Sequence, residues 1–120
     1  MDNPAMRTAS FQKALAQLIF AGFNSRVVAL DRETGETIWQ WKSPTGTGYV
    51  TVLLDGDRLI VSVVGYTYCL DPLTGNQLWF NSLAGCGVGV ASLASVNGVA
   101  TGLLGAANAN AQAAAASAAH

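Results

Sequence analysis

The 120-residue chain is expected to be all-β, built from units of four antiparallel strands that repeat every forty residues. Two observations lead there. Val27 to Trp39 is echoed by Thr67 to Trp79, with Leu30, Asp31, Thr34, Gly35 and Trp39 recurring at Leu70, Asp71, Thr74, Gly75 and Trp79. Each copy also sets turn-forming residues between two apolar runs, the pattern of short strands joined by tight connections. The spacing holds beyond the motif, because Leu18–Gly22 aligns with Arg58–Ser62 and again with Gly98–Gly102.

Taken in order, the first unit predicts strands at about 10–15, 18–23, 26–31 and 36–42. Its opening strand is ambiguous, since Phe11, Leu15, Leu18 and Ile19 also fit helical spacing. The second unit predicts strands at about 49–54, 58–64, 66–71 and 76–81, with Asp55-Gly56-Asp57 as the tight turn between the first two. The third has two candidates, near 87–93 and 97–103, and no further Leu-Asp…Thr-Gly…Trp. The domain boundaries follow: an N-terminal arm over 1–8, repeats over 9–104 (about 9–42, 49–81 and a half-unit 87–104), and an Ala-rich tail over 105–120 expected to be disordered.

The motif is the chemistry of a β-hairpin. An Asp carboxylate ending a strand accepts N–H groups from the turn that follows. Pro72 suits the second position of such a turn, and Gly35 or Gly75 supplies the positive φ that closes it. Trp39 and Trp79 then stand on the return strand, where a large ring fills a gap between layers. Asp31 and Asp71 are therefore read as turn cappers rather than a catalytic carboxylate pair. Asp55 and Asp57 are read as solvated turn residues, for calcium needs six to eight oxygens. Trp41 is less constrained, and Tyr66 and Tyr68 are expected at sheet faces.

Composition excludes several functions. Apolar residues make up 51% of the chain and charged ones 11%, with a net charge of −1. Binding nucleic acid through phosphates needs a basic stripe, which is absent. Cys69, Cys86 and His120 are too few to build a zinc or iron site, and no metal or other cofactor is expected. Ala14–Phe23 resembles the core of an export signal, but the repeat accounts for it, so the cytoplasm is the expected location. From Pro72 to Ala119 there is no charged side chain. Such a surface is expected to be covered by another chain. The lipid alternative, a helix over Leu83–Ala107 with Gly98-x-x-x-Gly102 as its packing face, is opposed by Asn97, the many glycines and the repeat register.

The sequences Ala29-Leu30-Asp31-x-x-Thr34-Gly35-x-x-x-Trp39 and Cys69-Leu70-Asp71-x-x-Thr74-Gly75-x-x-x-Trp79 resemble the repeat of the PQQ-like, quinoprotein-type β-propellers. The resemblance implies four-stranded blades with the Trp packed between neighbours. It implies no chemistry by itself, since the family's catalytic Asp, calcium ligands and adjacent cysteines map to no position here. A propeller needs about four to eight blades. Two and a half blades per chain therefore predict closure by two to four copies, three or four favoured, through head-to-tail or strand-exchange contacts.

The expected role is a non-catalytic binding or scaffold module. The alternatives are an enzyme or small-molecule binder assembled around the axial channel, and a truncated piece of a larger propeller. Any ligand would meet the blade-connecting loops Ser43–Gly48 and Ala84–Gly89, through Thr45, Gly46, Thr47, Gly85, Cys86 and Gly87, with Lys42 or Arg58 nearby. Flexible connectors are the plainer reading of those loops.

Overall fold

A computed structural model describes residues 4–100. The tail expected over 105–120, the end of the half-unit over 101–104 and the first residues of the arm lie outside the described residues. Helix α1 (Pro4–Leu15) leads into three antiparallel sheets. The first is β1 (Leu18–Phe23), β2 (Arg26–Asp31) and β3 (Thr37–Lys42). The second is β4 (Val50–Asp55), β5 (Arg58–Val63), β6 (Tyr66–Leu70) and β7 (Gln77–Asn81). The third is the hairpin β8 (Leu93–Ser95) and β9 (Gly98–Ala100). Strands follow one another in space as in sequence, so each sheet is a meander.

The second sheet has the full set of four strands and the first has three. The segment 10–15, for which a strand was one expectation, belongs to α1, which also takes in most of the arm expected over 1–8. The physical reason lies in the residues. Pro4-Ala-Met-Arg opens the helix with a residue suited to its first turn, and Gln12, Lys13, Ala14 and Leu15 are strong helix formers. The equivalent segment of the next repeat, Val50-Thr51-Val52-Leu53, is β-branched at its first three positions and forms β4. In the half-unit the first strand is shorter than expected, because residues 87–92 form a glycine-rich connector before β8, and the expected second strand runs past the described residues.

Hairpin turns set the registers. Asn24-Ser25 and Val64-Gly65 join β1 to β2 and β5 to β6, with positive φ at both central positions in each (47° and 66°, 47° and 108°). Both positive is the requirement of a type I′ turn, whose twist matches the strands it joins. Between β4 and β5, Gly56 at φ 59° lets Asp55 pair with Arg58.

The core lies between the first two sheets. Val27 and Trp41 from the first meet Leu59, Val61, Val63, Tyr68 and Leu70 of the second. Trp41 packs edge-on against Tyr68 at 4.7 Å between ring centres. Gly22 permits this approach: a β-carbon there would stand 2.7 Å from Val50 Cγ1. Among the described residues no helix is long and apolar enough to cross a membrane, and 83–100 is loop and the strands β8 and β9.

Candidate functional site

The two motif turns share most of their internal bonding, the Asp31 carboxylate accepting one amide more than that of Asp71. Asp31 Oδ1 accepts the N–H groups of Glu33 and Thr34 at 2.8 and 3.0 Å, and Asp71 Oδ1 accepts that of Leu73 at 2.9 Å. Gly35 and Gly75 each donate N–H to the carbonyl of the Asp four residues back, at 2.8 Å. The Thr34 and Thr74 hydroxyls each accept the amide two residues on at 3.2 Å. These bonds favour the charged carboxylate, so Asp31 sits below the usual carboxylate pKa range, chiefly through the Glu33 amide and then that of Thr34.

The Asp71–Gly75 turn is a seat. Trp39, on β3 of the first sheet, lies over Gly75, whose added β-carbon would stand 2.6 Å from Trp39 Cε3. The Trp39 indole Nε1–H donates to the Pro72 carbonyl at 2.9 Å, and Phe20 flanks the ring at 5.9 Å. A bare α-carbon and one carbonyl thus lock one sheet to the next. Trp79 stands at the matching position of β7 with 47% of its surface exposed, beside exposed Leu78 and Phe80.

The connecting loops 43–48 and 84–89 both abut the Val64-Gly65 turn. A β-carbon at Gly46 would stand 3.1 Å from the Val63 carbonyl, and one at Gly65 would stand 3.2 Å from that of Gly87. In the first loop the Ser43 hydroxyl and the Thr45 backbone are bonded within the protein, while the Thr45 and Thr47 side chains are exposed. Ser43 Oγ donates to the Gly46 carbonyl at 2.7 Å, and the Tyr68 hydroxyl accepts the Thr45 N–H at 3.1 Å while donating to the Thr45 carbonyl. Thr45, Gly46 and Thr47 therefore form a braced connector. In the second loop Gly85, Cys86 and Gly87 are exposed, and Cys86 donates its N–H to the Leu83 carbonyl at 3.0 Å.

Lys42 ends β3 next to the first loop, whereas Arg58 starts β5 at the opposite end of the sheet and pairs with Asp57 at 3.1 Å. Cys69 is buried and Cys86 exposed, and neither forms a disulfide. Burial pushes the Cys69 thiol pKa up, which makes it a poor nucleophile. Among the described residues no three His, Cys, Asp or Glu stand together as a metal site. Neither loop holds a carboxylate that could ligate calcium, since Asp55 and Asp57 lie on the turn at the opposite end of the sheet.

Sequence reasoning missed three things. Tyr68 is the brace of the first loop, Trp41 is a core residue, and Asp55 is more than a solvated turn residue. The Asp55 carboxylate accepts Ser95 Oγ–H at 2.9 Å and the Asn97 side-chain amide, tying the half-unit to the second sheet. The forty-residue step from Asp55 to Ser95 was the available signal. Those two bonds, Asn97 first, hold the Asp55 pKa low. A depressed carboxylate contributes stability above its unfolded pKa, about 3.9, and loses it as pH falls through the folded value. In the unassembled chain the β8–β9 hairpin is therefore expected to stay docked at about pH 5 and above and to loosen below about pH 4. Amide exchange at Asn97 and Val99 checks this; protection unchanged through acid would refute it.

Antiparallel meanders of three and four strands stacked sheet on sheet, with a Trp of one locked on the turn of the next, are propeller-like blades. The chain belongs to the PQQ-like repeat family: the family model described as outer membrane protein assembly factor BamB matches residues 24–117. It is also similar to a quinoprotein ethanol dehydrogenase of Pseudomonas putida, 31% identical over 80 residues. That match covers 52% of this chain and 13% of the relative, so the chain spans a small part of that enzyme's length.

Proposed function

We propose that the chain is a propeller-building unit whose copies assemble head to tail, two to four to a ring, into a non-catalytic binding or scaffold module. One observation carries this reading. Among the described residues the first sheet begins at β1 and has no strand at the place of β4, while β8 stands at the register of β4 in the third sheet.

The registers agree residue by residue. Leu53 pairs with Ile60, and Leu93 pairs with Ala100, forty residues on at both partners. Forty residues before Ile60 stands Phe20, on β1. Leu93 of one copy opposite Phe20 of the next would complete a four-stranded blade. In doing so β1, six residues long, replaces the three-residue β9 beside β8. The exchange also covers the open edge of β1, which in isolation is a template for uncontrolled pairing.

The test is the solution mass by light scattering coupled to size exclusion. A single mass at two, three or four times 12.4 kDa, unchanged on moderate dilution, is the expected result. A 12.4 kDa particle, or an open-ended series of masses, overturns the ring.

A further inference from the structure

We infer that the loop end of the sheets is a docking face for an acidic peptide segment, held by the cations Arg26 and Lys42 beside exposed apolar side chains of the loops. This rests on the reading of the chain as a binding module, and it adds which face binds and the partner's chemistry.

Charge is segregated along the strands. The first two sheets run in the same sense, since the turn after β6 takes the Trp39 indole at one end while Ser25 and Gly48 bond to each other at the other. The carboxylates of Asp31, Glu33, Glu36, Asp55, Asp57 and Asp71 all fall at the first end, on the turns after β2, β4 and β6. Both ion pairs among the described residues lie there too, Arg32 with Glu33 and Arg58 with Asp57. The opposite end gathers the Asn24-Ser25 and Val64-Gly65 turns with the connectors over 43–49 and 82–92, and none of these segments holds a carboxylate. The charged side chains on the strand ends beside them are Arg26 and Lys42.

Those two residues are direct partners across β2 and β3. Like charges set opposite each other in a sheet destabilise the pair, so the position is costly until an anion lies beside it. The repeat does not call for cations here, because the positions forty on are Tyr66 and Ser82. Apolar groups complete the face. Tyr49 at the end of the first connector is 62% exposed, and Leu83 and Val88 on the second are 42% and 80% exposed. A surface at once cationic and apolar is complemented by a chain of acidic and apolar residues. The carboxylate end repels such a chain, so the field of the whole molecule steers it to the loops. A nucleic acid is the poorer match, because two cations release few counterions. In a head-to-tail ring every copy presents this face on the same side, which multiplies the contacts.

The probe is a fluorescein-labelled peptide of Asp, Glu and Leu, titrated with the full chain by fluorescence anisotropy at low ionic strength. The chain is expected to bind it, with affinity falling as salt is raised. Lys42→Glu reverses a charge beside the bound acids and is expected to weaken binding about ten-fold. Arg58→Glu makes the same change in net charge at the far end and is expected to leave binding as it was. Lys42→Gln removes the charge without reversing it, so its loss is expected to be smaller, and it serves in place of the reversal if circular dichroism shows that Lys42→Glu disturbs the fold. No binding of the acidic peptide, or equal losses with Lys42→Glu and Arg58→Glu, overturns the inference. So does a labelled uridine oligonucleotide that binds as tightly, since the surface would then answer to any anion. Light scattering on the same samples separates the two readings: an assembled ring that ignores the peptide removes this face alone, and a monomer that binds it removes the ring alone.

Discussion

Tyr68→Ala is expected to destabilise the chain by about 3–5 kcal/mol, the usual cost of deleting a buried aromatic. Total stabilities of such domains are about 5–15 kcal/mol, so much of the fold's margin depends on this side chain. It is 1% exposed, packs on Trp41 from the first sheet, and lies 4.9 Å from Phe80 of β7. It also holds both backbone groups of Thr45 in the loop between the sheets. Tyr68→Phe separates these roles. It keeps the ring contacts and leaves the Thr45 amide and carbonyl short of a partner, a loss of about 1–3 kcal/mol. Urea unfolding measures the totals, and amide exchange at Thr45 reports the loop. If Tyr68→Phe left Thr45 protection unchanged, the hydroxyl would not be its brace.

The second large effect is a contrast between matched glycines. Gly75→Ala is expected to cost about 2–5 kcal/mol, the sum of a residue forced to positive φ and overpacking against a ring. In the unassembled chain Gly35→Ala carries the first contribution alone, about 1–2 kcal/mol, because no described residue stands within 4 Å of a β-carbon there. Both glycines hold nearly the same φ, so the difference isolates the Trp39 contact. Urea midpoints at one fixed chain concentration give the comparison, since association shifts apparent stability. Equal losses at the two positions would mean that the indole moves aside at little cost.

The repeat, its period and its turns were legible in the chain before any coordinates. The reason is that their causes are local. Asp71 caps amides two residues on, Thr74 accepts the next amide but one, and Gly75 meets a φ that other residues resist. Four of the strands around these turns lie within a residue or two of their expected bounds for the same reason: runs of aromatic, β-branched and other apolar residues stop where turn chemistry begins. Family membership was legible too, since it rests on two copies of that local motif.

What needed tertiary structure was everything decided by a neighbour. Residues 10–15 carry both a helical and a strand pattern, and only the absence of β-branched residues beside a ready sheet edge separates α1 from a copy of β4. Trp39 and Trp79 are indistinguishable in the motif, and so are Gly35 and Gly75. One Trp is locked and the other bare because a turn stands against the first and none of this chain's described turns stands against the second. Asp55 reads as a solvated turn residue until the half-unit folds back and brings Ser95 and Asn97 to it. Turn chemistry is written over four or five consecutive residues, but packing depends on which surface arrives across the gap, and a motif carries no record of that.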